Sequence, residues 1–124
     1  MGEMEKKNYV FTMTDGNTIS VCFCVEDDKP LSVGDKMNEI CEDAYMNGYN
    51  WEVFFFYYLS KLAPELLVGL TSDPESGSYA AYYDLTEENE KKAKRFVEII
   101  ISLIENEEEL YRMIREDGNK IKWD

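Results

Sequence analysis

Apolar and polar positions alternate twice near the start of the chain, over residues 8–13 and 18–25, in runs rich in Val, Ile, Phe, Tyr and Thr. Period-two alternation of β-branched and aromatic residues predicts strands. Asp15-Gly16 between the runs predicts a hairpin, because glycine supplies the positive φ that a primed turn requires. In the second run Ile19, Val21, Phe23 and Val25 share one face, and Ser20, Cys22 and Cys24 the other. One face of this sheet is therefore expected to be wholly apolar.

Glu26-Asp27-Asp28-Lys29-Pro30 interrupts the alternation, and the period then lengthens. Ser32 or Asp35 offers a cap for a helix in which Met37, Ile40, Cys41, Ala44 and Tyr45 recur on one face. Asn47-Gly48 suits a left-handed stop. Asn50 offers the next cap, for a helix running from Trp51 toward Pro64, with Trp51, Phe54, Phe55, Tyr58, Leu59 and Leu62 on one buried stripe. Seven aromatic residues fall within residues 49–58, and Tyr49, Phe56 and Tyr57 lie on or beyond the edge of that stripe.

Residues 66–70 and 79–83 read as a second hairpin around the turn-forming Asp73-Pro74-Glu75-Ser76-Gly77. Thr86 or Asp84 then caps a long helix whose core face is Ala93, Phe96, Val97, Ile100, Leu103 and Ile104. Pairs such as Glu90 with Lys94 support its solvent side. Asn106 opens a last short helix carrying Leu110, Met113 and Ile114, and Trp123 is expected to pack the tail or to end a short strand. The order ββααββαα predicts an α+β fold: an antiparallel sheet of two hairpins with helices packed on one face. The length of 124 residues suits one domain, residues 1–124, with a short flexible segment over residues 1–7.

Composition changes the picture chiefly through charge. Residues 26–90 carry 15 Asp and Glu against 3 Lys, a local net of −12. Residues 91–124 carry 8 acidic and 8 basic residues, so nearly all of the total of −13 lies in the middle of the chain. Such a field repels nucleic acid and anionic membrane and speeds encounter with a basic partner, although acidity also serves plain solubility. No apolar run approaches the roughly 20 residues that span a bilayer, and the N-terminal residues lack a signal-like apolar core. A cytoplasmic location is the resulting expectation.

The candidate chemistry is sparse. With no histidine in the chain, Ser-His and Cys-His catalysis are excluded. The three cysteines, Cys22, Cys24 and Cys41, read as reduced, mostly buried residues without metal-ligand spacing. There is no phosphate loop, dinucleotide fingerprint or calcium loop. Asp73 and Glu75 are the one acidic pair on a structured turn, and a capping Asp beside a solvated Glu explains them better than a two-carboxylate catalytic site does. No catalytic residue, cofactor or metal ligand is expected.

Gly48-Tyr49-Asn50-Trp51, an apolar helix ending in Leu62-Ala63-Pro64-Glu65-Leu66, and Asp73-Pro74-Glu75-Ser76-Gly77 leading into a strand together resemble the immunity protein 51 family. The similarity covers about residues 35–115 and rests on the anchors Gly-Tyr-x-Trp and Asp-Pro-Glu-x-Gly. The resemblance implies a small α+β protein encoded beside a bacterial polymorphic or contact-dependent toxin, which it inhibits by binding. The expected partner is then a cognate toxin domain, and the charge suits a basic one such as a nuclease.

An acidic intracellular adaptor or nucleic-acid mimic is the alternative, and an enzyme using carboxylates alone ranks last. The partner-binding candidates are Glu42, Asp43, Glu52, Tyr57, Asp73, Glu75 and Tyr82: carboxylates of the acidic region together with tyrosines that suit a wet interface. Oligomeric state is open.

Overall fold

A computed structural model describes residues 8–123, so the expectation for residues 1–7 lies outside the described residues. Strand β1 (Val10–Asp15) and strand β2 (Thr18–Phe23) form the first hairpin, closed at the pair Asp15 and Thr18. Gly16, with φ of 61°, takes the first central position of the two-residue turn, where a II′ geometry places glycine. Helices α1 (Asp28–Ile40) and α2 (Gly48–Leu62) follow, then a 3₁₀ turn at Pro64–Leu67. Strands β3 (Thr71–Ser72) and β4 (Tyr79–Asp84) form the second hairpin, and helices α3 (Glu87–Glu105) and α4 (Glu107–Asp117) complete the order ββααββαα.

The sheet is antiparallel throughout, in the order β1-β2-β4-β3. Register aligns Val10, Phe23 and Tyr79 across three strands, and likewise Thr12, Val21 and Ala81. These side chains point toward the helices, and Val21, Phe23, Tyr79, Ala81 and Tyr83 are buried. The opposite face, with Phe11, Met13, Cys22, Ala80 and Tyr82, is left partly open. Cys22, Cys24 and Cys41 are half-buried, more accessible than the sequence suggests, because the first two lie on or next to this uncovered face. Burial still pushes the Cys22 and Cys24 thiols up, which disfavours the reactive thiolate.

Helix α3 contributes Ala93, Phe96, Ile100, Leu103 and Ile104 to the core, the face its periodicity predicts, with Val97 half-buried beside it. The Thr86 hydroxyl oxygen accepts from the Asn89 N–H at 3.0 Å, a sequence-legible N-cap. The aromatic core is continuous. Trp51 meets Phe23 edge-on at 5.1 Å, Phe55 meets Tyr79 at 5.1 Å and Phe96 at 5.5 Å. Such edge-to-face pairs add about 0.5–1.5 kcal/mol each beyond area burial.

Several boundaries differ from the sequence expectation. Helix α1 begins at Asp28, ahead of both Ser32 and Asp35, since Pro30 is tolerated in a first turn whose N–H groups have no intrahelical acceptor. It ends at Ile40, and Ala44 and Tyr45 belong to the connection. Residues 66–70 do not form a strand: Pro64 starts a 3₁₀ turn, and the buried Tyr83 hydroxyl donates to the Leu66 carbonyl at 2.6 Å. Leu62, expected on the buried stripe of α2, is 60% exposed, because α2 ends there and the chain turns away. The tail adds no strand through residue 123; Trp123 packs on the core and its Nε1–H donates to the Gly118 carbonyl at 3.1 Å.

Candidate functional site

The segment joining α1 to α2 is where the two sequence anchors meet. Asn47 is the N-cap of α2, its side-chain oxygen accepting from the Asn50 N–H at 2.9 Å. The stop-and-start assigned to Asn47-Gly48 and Asn50 is thereby corrected: Gly48 opens α2, and the left-handed residue is Met46, with φ of 56°. Asn50 lies inside the helix and is only 2% exposed. Its Oδ1 accepts from the Met46 N–H at 2.9 Å, which holds that strained residue in place.

Gly48 is required by close approach. Its N–H donates to the Ser76 carbonyl at 3.0 Å, and a Cβ at this position would stand 1.8 Å from the Glu75 carbonyl oxygen and 2.1 Å from that of Ser78. The turn of residues 73–77 is itself tied down: the Glu75 N–H donates to the Ser78 carbonyl at 2.8 Å and the Asp73 N–H to that of Ala80 at 2.7 Å. The Gly-Tyr-x-Trp and Asp-Pro-Glu-x-Gly anchors are two halves of one packed junction. Trp51 completes it as a fully buried core residue, its Nε1–H without an acceptor among the described residues.

Below that junction, α2, the 67–72 segment and the C-terminal turn enclose a cleft of about 820 Å³. Phe55, Leu59 and Tyr79 are its buried floor, and Val53, Leu67 and Leu70 its half-buried walls. Burial drives the Tyr79 phenol far above its ordinary range, so its hydroxyl keeps its proton well into alkaline pH. Glu52 of α2 and Ser72 of β3 also line it, as do exposed Lys120 and Lys122 on either side of the buried Ile121 in the C-terminal segment. Phe56, on the cleft wall, is 58% exposed.

Four of the seven candidate residues border this region. Glu52 and Tyr57 line the cleft, and Asp73 and Glu75 are exposed on the turn that leads from β3 to β4 and packs against the start of α2. The Tyr57 hydroxyl donates to Asp117 Oδ2 at 2.8 Å, and Lys61 Nζ stands 5.0 Å from its ring centre. Glu42 and Asp43 are exposed in the turn after Cys41. Tyr82 is on the opposite face of the sheet, because strand alternation sends it away from Ala81 and Tyr83. Lys120 and Lys122 escaped the sequence reading: the last part of the chain balances to zero net charge, which hides two cations brought to one cleft.

Among the described residues, no group of three or more His, Cys, Asp or Glu side chains could hold a metal ion, and no helix is long and apolar enough to cross a membrane. Fold and site together define an α+β protein with an open apolar cleft bordered by an acidic turn. The sequence model of immunity protein 51 matches residues 10–119, and the chain belongs to that family. Its class is thereby that of immunity proteins, for which the implied partner is a toxin. No curated protein and no solved structure matches the chain at a significant level.

Proposed function

We propose that this protein neutralises a cognate bacterial toxin by binding it directly, in the cytoplasm of the cell that makes it, within a polymorphic or contact-dependent toxin system. The observation that carries this reading is the family match over residues 10–119. Inhibition here is occupancy, without chemical change to either partner. The acidic residues Glu42, Asp43, Glu52, Asp73 and Glu75 draw in a toxin with a basic surface, of which a nuclease is one kind, and Tyr57 and Tyr82 are its candidate aromatic contacts. A net of −12 over residues 26–90 supports that steering role.

Steering makes a distinct prediction. Reversing Glu42, Asp43, Asp73 and Glu75 to Lys lowers the association rate with the toxin by about tenfold or more at low salt. Because all four side chains are exposed, thermal unfolding stays nearly unchanged. The wild-type association rate falls as salt is added, over the range in which a Debye length shrinks below about 10 Å. A rate indifferent to both changes would remove the acidic-steering part of the reading, and equal loss of binding and stability would make these residues structural.

A further inference from the structure

The cleft has the volume of a small-molecule site, about 820 Å³, yet its layout is that of an interface. A small-molecule site encloses most of its ligand. Here exposed aromatic rings stand on and beyond the cleft wall: Phe56 is 58% exposed on the wall, and Tyr49, outside the lining but seven residues earlier and so on nearly the same helical face, is 44% exposed. The two lie roughly 10 Å apart along the axis of α2. An apolar pocket continued by exposed aromatic residues is the arrangement found where a partner inserts an anchor side chain.

Charge around the cleft selects what enters. Glu52 stands on the α2 side, and Lys120 and Lys122 on the C-terminal side. Lys120 Nζ is 3.7 Å from Asp117, but the lysine side chain remains 68% exposed and open to a second carboxylate. In a chain with 26 acidic and 13 basic residues, two lysines on one rim of an apolar cleft favour a partner segment that is itself acidic at that point. This is the opposite sign from the partner surface that the acidic turns would attract.

We propose that the cleft receives an apolar side chain of the toxin whose neighbouring carboxylate meets Lys120 and Lys122, and that this anchor sets the lifetime of the complex while the acidic turns set its rate of formation. The inference rests on the toxin-binding reading and assigns the two kinetic steps to two different surfaces. Steering charges act mainly on association, whereas desolvated aromatic anchors act mainly on dissociation.

The test measures association and dissociation rates for the toxin domain encoded beside this chain, inactivated by substitution, against the full chain and its variants. Phe56→Ser raises the dissociation rate by about 30-fold, the size of a hot-spot truncation, and leaves association within about twofold. Lys120→Glu combined with Lys122→Glu raises dissociation by about fivefold and decides the matter if the Phe56 variant does not fold. Wild-type dissociation from both variants, with the wild-type complex formed normally, overturns the cleft as anchor and leaves the toxin-binding reading standing. Failure of the wild-type chain to bind that toxin overturns the reading itself.

Discussion

Gly48 is the residue on which the junction turns. It begins α2, so its backbone is compatible with any L-residue; what excludes a side chain is the Glu75 carbonyl oxygen, 1.8 Å from where a Cβ would stand. Backbone atoms cannot rotate aside, so Gly48→Ala displaces the start of α2 or the 73–77 turn and costs about 2–4 kcal/mol. Urea unfolding of the variant checks this, and a loss below about 0.5 kcal/mol would show that the junction yields easily. Here the sequence was legible in identity and misleading in role. Asn-Gly has a strong local meaning as a helix stop, and only the arrival of residues 75–78 from a distant turn gives Gly48 its actual one. Asn50 follows the same pattern, since its partner Met46 is left-handed for reasons that no periodicity displays.

Among the elements, those defined by local rules were legible and those defined by distant contacts were not. The first hairpin follows from alternation around Gly16, and α3 from Thr86 and a strict apolar face. The run 66–70 reads as a strand, but Pro64 and the buried Tyr83 hydroxyl hold part of it in a 3₁₀ turn. Tyrosine hydroxyls are a recurrent means of tying elements together. Tyr9 donates to Glu105 Oε2 at 2.7 Å, linking the start of the sheet to the end of α3, and Tyr57 links α2 to Asp117 of α4.

The phenols of Tyr9, Tyr79, Tyr83 and Tyr111 carry a pH dependence. Burial pushes the Tyr83 phenol up to about 12. Burial, followed by carboxylate partners, drives Tyr9 and Tyr111 higher still, and burial alone dominates for Tyr79. A phenol whose folded value is raised binds its proton more tightly in the native state. Its contribution is fully present below the ordinary value of 10.0 and is lost as pH rises from there through the folded value. The urea midpoint is therefore expected to fall steadily above about pH 10. A midpoint that is flat from about pH 9 to about pH 12 would contradict the raised proton affinity of Tyr9, Tyr79, Tyr83 and Tyr111.

For the whole molecule, family and fold class were readable from two short anchors and the order of elements, but the cleft was not. Tyr57 could be picked out as a residue off the buried stripe of α2, Glu52 as a carboxylate of the acidic region, and Asp73 and Glu75 as an acidic turn. The cleft itself needs Phe56, Leu70 and Lys122 together, residues from three separated segments whose convergence is a property of the packed chain. Charge summed over long windows obscured the two lysines for the same reason. Tyr82 shows the converse limit: composition made it a candidate beside Glu52, and strand alternation places it on the far face of the sheet.

Toxin neutralisation by this immunity-family chain has a direct cellular readout. A toxin encoded beside the chain, the partner proposed above, is produced in a host cell with and without the chain, and survivors are counted. The wild-type chain is expected to restore growth, Phe56→Ser to restore it less well at equal protein level, and the two proteins to be recovered as one complex. Cells that die equally with and without the chain, while both folded proteins are present and separate, would rule out neutralisation by binding.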